Sequence, residues 1–305
     1  MNKIKDLFSK RKKKSKTKKP PGVSTAPLSD LQLSDLEIEN TLDSTKQLVT
    51  GVERNIGLVR TNNEDSVFKM TTALDVNSTS MVFGIFMVAD GMGGHKNGGL
   101  ASEYCIRTMA EHLVNNIYFP LVGPDNAPPA SSLQDILREG IQKADKAVNL
   151  KAPGGGTTLT AAVLIGNQLT IAHVGDSRAY AVYPDGRINT LTADHSVVSR
   201  LVELGHLSPE EAKDHPRKSM LYNSIGQGET PRPDIFTINF PYPGHLLLCS
   251  DGLWGEVEDD EIVGIINQAP NPQNASYKLV EAAINNGGGD NIGIVLTALK
   301  VQKNK

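Results

Sequence analysis

Apolar residues in this chain fall mostly into short runs broken by Gly, Pro, Asn and Asp, the pattern of strands rather than long helices. Early runs lie at Val52–Val59, Ser66–Met70 and Met81–Ala89. "GTTLTAAVLIGNQLTIAHVGDSRAYAVYPDGRINTLT" then reads as consecutive strands, with "GNQ" and "PDG" as turns between them. "HLLLCSDGLWGEV" predicts a further strand, and "NIGIVLTAL" the last. Helical spacing is confined to a few places. "GLASEYCIRTMAEHLVNNIY" sets Leu100, Tyr104, Met109, Leu113 and Ile117 near one face, and "SSLQDILREGIQKADKAVNL" follows after a loop containing "GPDNAPPA". Two more helices are expected at 259–268 and 272–286. In "LSPEEAK", Ser208 is a helix N-cap with proline at the first helical position and an acid three residues on. Helices thus come in pairs between groups of strands. This argues for an α+β domain of packed antiparallel sheets covered by helices, and against a doubly wound parallel sheet.

Composition adds boundaries. The sequence has 305 residues, 39% hydrophobic and 21% charged, as in globular proteins. No apolar run approaches the ~20 residues of a membrane span, and the N-terminus lacks the apolar core of a secretory signal. Two cysteines, Cys105 and Cys249, allow neither a disulfide framework nor a cysteine-rich zinc site. A reducing, cytoplasmic setting is expected. Residues 1–19 carry ten basic residues and one acid, leaving 21 basic and 33 acidic residues elsewhere, a net −12. Such a body does not suit nucleic acid; it suits carboxylates gathered around cations. A basic tail (1–19), a disordered linker (20–48) and a compact domain (49–301) are therefore expected.

The candidate chemistry lies in four acids, each beside a glycine at one end of an apolar run: Asp90, Asp176, Asp251 and Asp290. If the sheets bring these ends together, mutual repulsion raises their pKa values or calls for cations. Oxygen donors without thiolate or imidazole favour Mg²⁺ or Mn²⁺ over softer ions, and a glycine such as Gly91 lets a backbone carbonyl approach the ion. The alternative is that each "DG" is only a turn, the reading adopted for "PDG" at 184–186. Arg60, four residues before Glu64 and Asp65, is either a bidentate phosphate ligand or one half of a surface ion pair.

Seven blocks in order, "RTNNED", "VADGMGGH", "GTTLTAAVL", "HVGDSRAY", "LTADHS", "LLLCSDGLW" and "GGGDNIGIVL", resemble the PPM-type (type 2C) metal-dependent serine/threonine protein phosphatases, particularly their compact bacterial members. The resemblance covers about residues 50–300. It implies a four-layer α-β-β-α sandwich with a dinuclear Mn²⁺ or Mg²⁺ centre, sometimes with a third ion. It makes Asp90 the bridging ligand, Gly91 a carbonyl ligand, and Asp251 and Asp290 further ligands, with Asp176 and Asp251 at the third ion. Glu64 and Asp65 match acids that orient metal-bound water, and Arg60 the phosphate-binding arginine. The implied reaction is hydrolysis of phosphoserine or phosphothreonine on proteins by a metal-activated water, opposing serine/threonine kinases. Two alternatives are a phosphatase dedicated to one regulatory protein and an inactive phosphopeptide-binding module.

Many eukaryotic members of the family place a histidine after the "DG", a proposed general acid; here that residue is Met92. His95 belongs to the "GMGGH" block and is not given that role. His173 and His195 are read as structural, and Cys249 as a core thiol without the arginine of a cysteine-phosphatase loop. Residues 195–225 match the family's variable flap, a substrate-selecting border or else a solvated helical insertion. "MNKIKDLFSKRKKK" either touches an anionic membrane surface or is a solvated arm. A monomer is expected.

Overall fold

The computed structural model describes residues 44–76, 79–93, 97–123 and 128–303. The tail of residues 1–19, most of the expected linker and His95 lie outside them. The strands are β1 (Ser44–Asn55), β2 (Asp65–Val76), β3 (Thr79–Met92), β4 (Gly156–Thr157), β5 (Leu159–Ile165), β6 (Gln168–Val174), β7 (Arg178–Val182), β8 (Ile188–Thr190), β9 (Asp234–Asn239), β10 (His245–Cys249) and β11 (Ile292–Lys303). One sheet runs β1-β11-β10-β7-β8; the other runs β2-β3-β5-β6-β9, with β4 pairing β3. Every pairing is antiparallel.

Strand periodicity builds three layers of core. Along β3, Phe83, Ile85, Met87 and Ala89 point to one side, into a cluster with Cys105, Met109, Leu113, Leu137 and Ile141. Val82, Phe86 and Val88 point to the other, against Leu246, Leu248, Val295 and Leu299 of the second sheet. The far face of that sheet, with Leu247, Cys249 and Ile294, is covered by Ile262, Ile266, Leu279 and Ala283. Helices therefore lie outside both sheets, and the expected four-layer α-β-β-α sandwich is the observed one.

The covering helices are α1 (Asn97–Leu113), which runs on through a π-helical turn Val114–Tyr118 and a last turn Phe119–Val122, and α2 (Leu133–Lys151). On α2 the buried stripe is Leu133, Ile136, Leu137, Gly140, Ile141, Ala144 and Val148, the i, i+3, i+4 spacing of one helix face. Next in the chain are α3 (Val197–Glu203), α4 (Pro209–Lys213), α5 (Asp251–Trp254), α6 (Asp259–Gln268) and α7 (Pro272–Asn285). At α4 the expected cap is a full capping box, with Ser208 and Glu211 each bonding the other's backbone.

Three local expectations differ. The first strand begins at Ser44, not near Val49: the added residues find a ready partner in β11, Leu48 opposite Leu299 and Ser44 opposite Lys303. The run predicted as one strand through "CSDGLW" stops at Cys249, because Asp251 opens the short helix α5. Asp90 lies within β3 rather than past its tip, since Gly91 and Met92 go on to pair with Thr157 and Gly156.

Candidate active site

The same alternation that builds the core delivers its polar end. Asp90 shares the inward face of Val88, and Asp65 that of Val67, so both project into the layer between the sheets, opposite each other in register. Ser250, just past β10, joins them there: its hydroxyl donates to Asp65 Oδ2 at 2.6 Å and accepts from the Gly293 amide at 2.8 Å. The apolar inter-sheet core thus ends in buried carboxylates.

Arg60, Glu64, Asp90, Gly91, Asp176, Asp251 and Asp290 all line one cavity of about 380 Å³. Met92 lines it as well, together with Ser219 and Leu221 of the 195–225 segment. Asp65 is the exception among the expected site residues: it is fully buried beneath the cavity. Residues 195–225 do border the cleft, and the segment is anchored at its root by bridges Ser196–Leu221 and Thr157–Ile225.

Backbone bonds hold the acids firmly. The Asp90 amide donates to Thr158 Oγ1 and its carbonyl accepts from the Thr158 amide and the Thr157 hydroxyl, each at 2.9 Å. Both "DG" glycines are required by crowding. A Cβ at Gly91 would lie 2.6 Å from the Glu64 carbonyl and strike that of Gly98; one at Gly252 would strike the Asn291 carbonyl. Close backbone packing is thus one reason for Gly91's missing side chain.

Electrostatics mark this cavity out. Burial, then the charges of Asp251, Asp65 and Asp176, push the Asp90 pKa well up. Asp251 is raised too, first by burial and then by the charge of Asp290. Asp65 and Asp176 are each raised to about 8, again mainly by burial. Asp65 Oδ1 and Asp251 Oδ1 are buried without a hydrogen-bond partner. Arg60 is the compensating cation at the rim: its Nη2 donates to Asp290 Oδ2 at 2.6 Å, which raises the guanidinium pKa. Its ion pair is thus with one of the four acids, not with Glu64 or Asp65. Among the described residues, no three His, Cys, Asp or Glu side chains close around one point. Asp90, Asp176, Asp251 and Asp290 nevertheless share one cavity. A donor set made of oxygens, two of them orphaned and buried, fits hard divalent cations.

Several supporting residues lie in the seven blocks but were not singled out by the sequence. Asn291 holds the Arg60 loop: its Oδ1 accepts from the Glu64 amide at 2.7 Å, and its Nδ2 donates to the carbonyls of Ile56 and Asn62. Its own amide bonds Asp290 Oδ1 at 2.8 Å. Arg178 grips Asp194 with two bonds of 2.9 and 2.8 Å and stacks 3.7 Å over Trp254, whose indole N–H donates to the Asp176 carbonyl.

His173, His195 and both thiols are buried in the fold. Burial drives His173 down to about 4 and pushes both buried thiols up. His195 accepts at Nδ1 from the Gly175 amide and the Asn223 side chain, leaving Nε2 to donate to Asp234.

An acid-lined, arginine-bearing cavity at the end of an αββα sandwich defines a PPM-type phosphatase domain. The family described as Protein phosphatase 2C matches residues 61–267, and the chain belongs to that family. Serine/threonine protein phosphatase PstP of Mycobacterium tuberculosis is 34% identical over 246 residues, 79% of this chain and 43% of that protein. The chain therefore spans less than half the length of that relative. A putative protein phosphatase 2C-type from Streptococcus pyogenes is 32% identical over 251 residues, 80% of this chain and 95% of its own. The crystal structure of the catalytic domain of PstP in complex with two manganese ions superposes with a TM-score of 0.65 and 31% identity, covering 84% of this chain and 99% of that one. Among the described residues, no helix is long and apolar enough to cross a membrane.

Proposed function

We propose that this chain is a divalent-cation-dependent protein phosphatase acting on phosphoserine and phosphothreonine, with kinases and their substrates as partners. The observation that carries the reading is the meeting of Asp90, Asp176, Asp251 and Asp290 with Arg60 in one cavity. Asp90, Asp251, Asp290 and the Gly91 carbonyl would hold two Mn²⁺ or Mg²⁺ ions, with Asp176 and Asp251 at a third. When bound, such ions neutralise the carboxylates, polarise phosphoryl oxygens and make water acidic enough to attack phosphorus at neutral pH.

The chain's own residues do the rest. Arg60 presents a planar fork suited to two phosphoryl oxygens, and it exchanges Asp290 for the phosphate as substrate enters. Negative charge building on those oxygens during transfer is met by the same guanidinium. Asp65, fixed by Ser250, and Glu64, fixed through its backbone by Asn291, orient water from below and beside the cavity. Met92 has no proton to give and serves only as wall.

An inactive phosphopeptide-binding module is not supported: the relatives bear phosphatase names. Residues 195–225 are proposed as a substrate-facing flap, and the basic tail as a weak contact for anionic lipid in a cytoplasmic enzyme. Liposome sedimentation with and without residues 1–19 checks the tail; equal binding removes that role. For the activity, hydrolysis of a phosphothreonine peptide with Mn²⁺ should fall more than about a hundredfold in Asp251→Asn, beyond the range for residues that only support ligands. Turnover that survives both chelation and this substitution overturns the reading.

A further inference from the structure

A second cavity of about 620 Å³ opens beside the first and shares Met92 and Leu221 with it. The two form one trough. A chain that runs from Arg60 and Asp90 into the second cavity passes Met92 and Leu221. A volume in the ~300–1,000 Å³ range that buries small ligands is far more than a phosphate needs.

The walls of this second cavity are built, not draped. Asn223 clamps the backbone of Arg232 from both sides, accepting from its amide at 3.1 Å and donating to its carbonyl at 2.8 Å. The buried Ile225 exchanges two 2.9 Å bonds with Thr157, whose strand β4 pairs with the end of β3 that carries Asp90. The wall is therefore in fixed register with the candidate active site. Its chemistry suits a polypeptide: amide groups of Asn223 and Gln227, a half-exposed Tyr222 ring, and two carboxylates, Glu229 and Asp234, against one cation, Arg232. Among the described residues Glu229 has no ion-pair partner, and the Asp234 side chain, though it accepts from His195, stays 57% exposed.

We propose that this cavity is a subsite for the polypeptide flanking the phosphorylated residue, and that its two carboxylates favour a lysine or arginine there. The proposal rests on the phosphatase reading above, and gives it a substrate class: phosphoproteins with a basic residue close to the phosphoserine or phosphothreonine. Loop 223–234, rather than the carboxylate cluster, then sets which proteins are dephosphorylated.

The test uses the full chain with Mn²⁺ and four substrates. One is p-nitrophenyl phosphate, which has no flank; the others are phosphothreonine peptides differing only in Lys, Ala or Glu beside the phosphothreonine. The wild type should show the lowest KM for the Lys peptide, about fivefold below the Glu peptide, as expected of a partly exposed ion pair. Glu229→Lys should invert that order while changing p-nitrophenyl phosphate turnover less than about twofold. Equal KM values for all three peptides, preference for Glu in the wild type, or an order unaffected by Glu229→Lys would each overturn the subsite. Absence of turnover with all four substrates would instead overturn the phosphatase reading, and the subsite with it.

Discussion

Two charged clusters lie side by side at the end of this sandwich, joined by Trp254, and they are built on opposite principles. In one, Arg178 and Asp194 meet fork to fork, Tyr180 takes a third guanidinium bond at 3.0 Å, and the indole ring covers the cation. Charge is matched within the chain. In the other, Asp90, Asp176 and Asp251 line one cavity with Asp65 buried beneath it, and Arg60 bonds Asp290 at the rim. Burial of like charges raises every one of those carboxyl pKa values. The contrast separates structure from function: a closed pair holds the fold, while an unbalanced cluster costs stability and is retained for its chemistry.

The sharpest way to break the comparison is to unbalance the closed pair. Arg178→Met leaves the half-buried Asp194 without its partner, and should lower unfolding free energy by about 2–3 kcal/mol in a denaturant titration. Removing one charge from the open cluster should act in the opposite direction. In the presence of chelator, Asp251→Asn is expected to stabilise the fold by about 1–2 kcal/mol, the scale of one pKa unit of relieved repulsion. Arg60→Ala should raise KM for a phosphothreonine peptide about tenfold through loss of a charge-assisted contact.

The gentlest effect is a pH slope. Asp65 and Asp176 bind protons up to about 8 in the folded chain, against 3.8 ordinarily. Between those values the folded state holds more protons than the unfolded one, so stability falls as pH rises. The contribution is complete below about 4 and gone above about 8. Thermal melts in chelator from pH 5 to 8.5 should show this decline.

Much of this architecture was legible as period. Helices at 259–268 and 272–286 appear within a residue of expectation, and the "LSPEEAK" cap is a complete capping box, because local signals suffice there. The strand predicted through "CSDGLW" misled, since apolar Leu253 and Trp254 continue the hydrophobic run while the backbone turns helical. The four acids were visible because each follows or precedes an apolar run beside a glycine. What stayed hidden depends on contacts far apart in sequence. Asn291 supports a loop some 230 residues away, as the separation of 229 in its bond to Asn62 shows. Arg178 has no periodic role, and its partner Asp194 lies beyond β8. The reason for Gly91 was also hidden: only the fold reveals the Glu64 and Gly98 backbone packed against it.

The central claim is that the open cluster is a divalent-cation site made by these particular aspartates. Thermal unfolding of the full chain with added Mn²⁺ at pH 8, after chelator treatment, tests it without relying on turnover. An ion that binds only the folded state should raise the wild-type midpoint by about 3–5 °C. The account predicts that this rise disappears in both Asp90→Asn and Asp251→Asn, and persists in Arg60→Ala. An equal rise in the two aspartate variants, or none in the wild type, would contradict it.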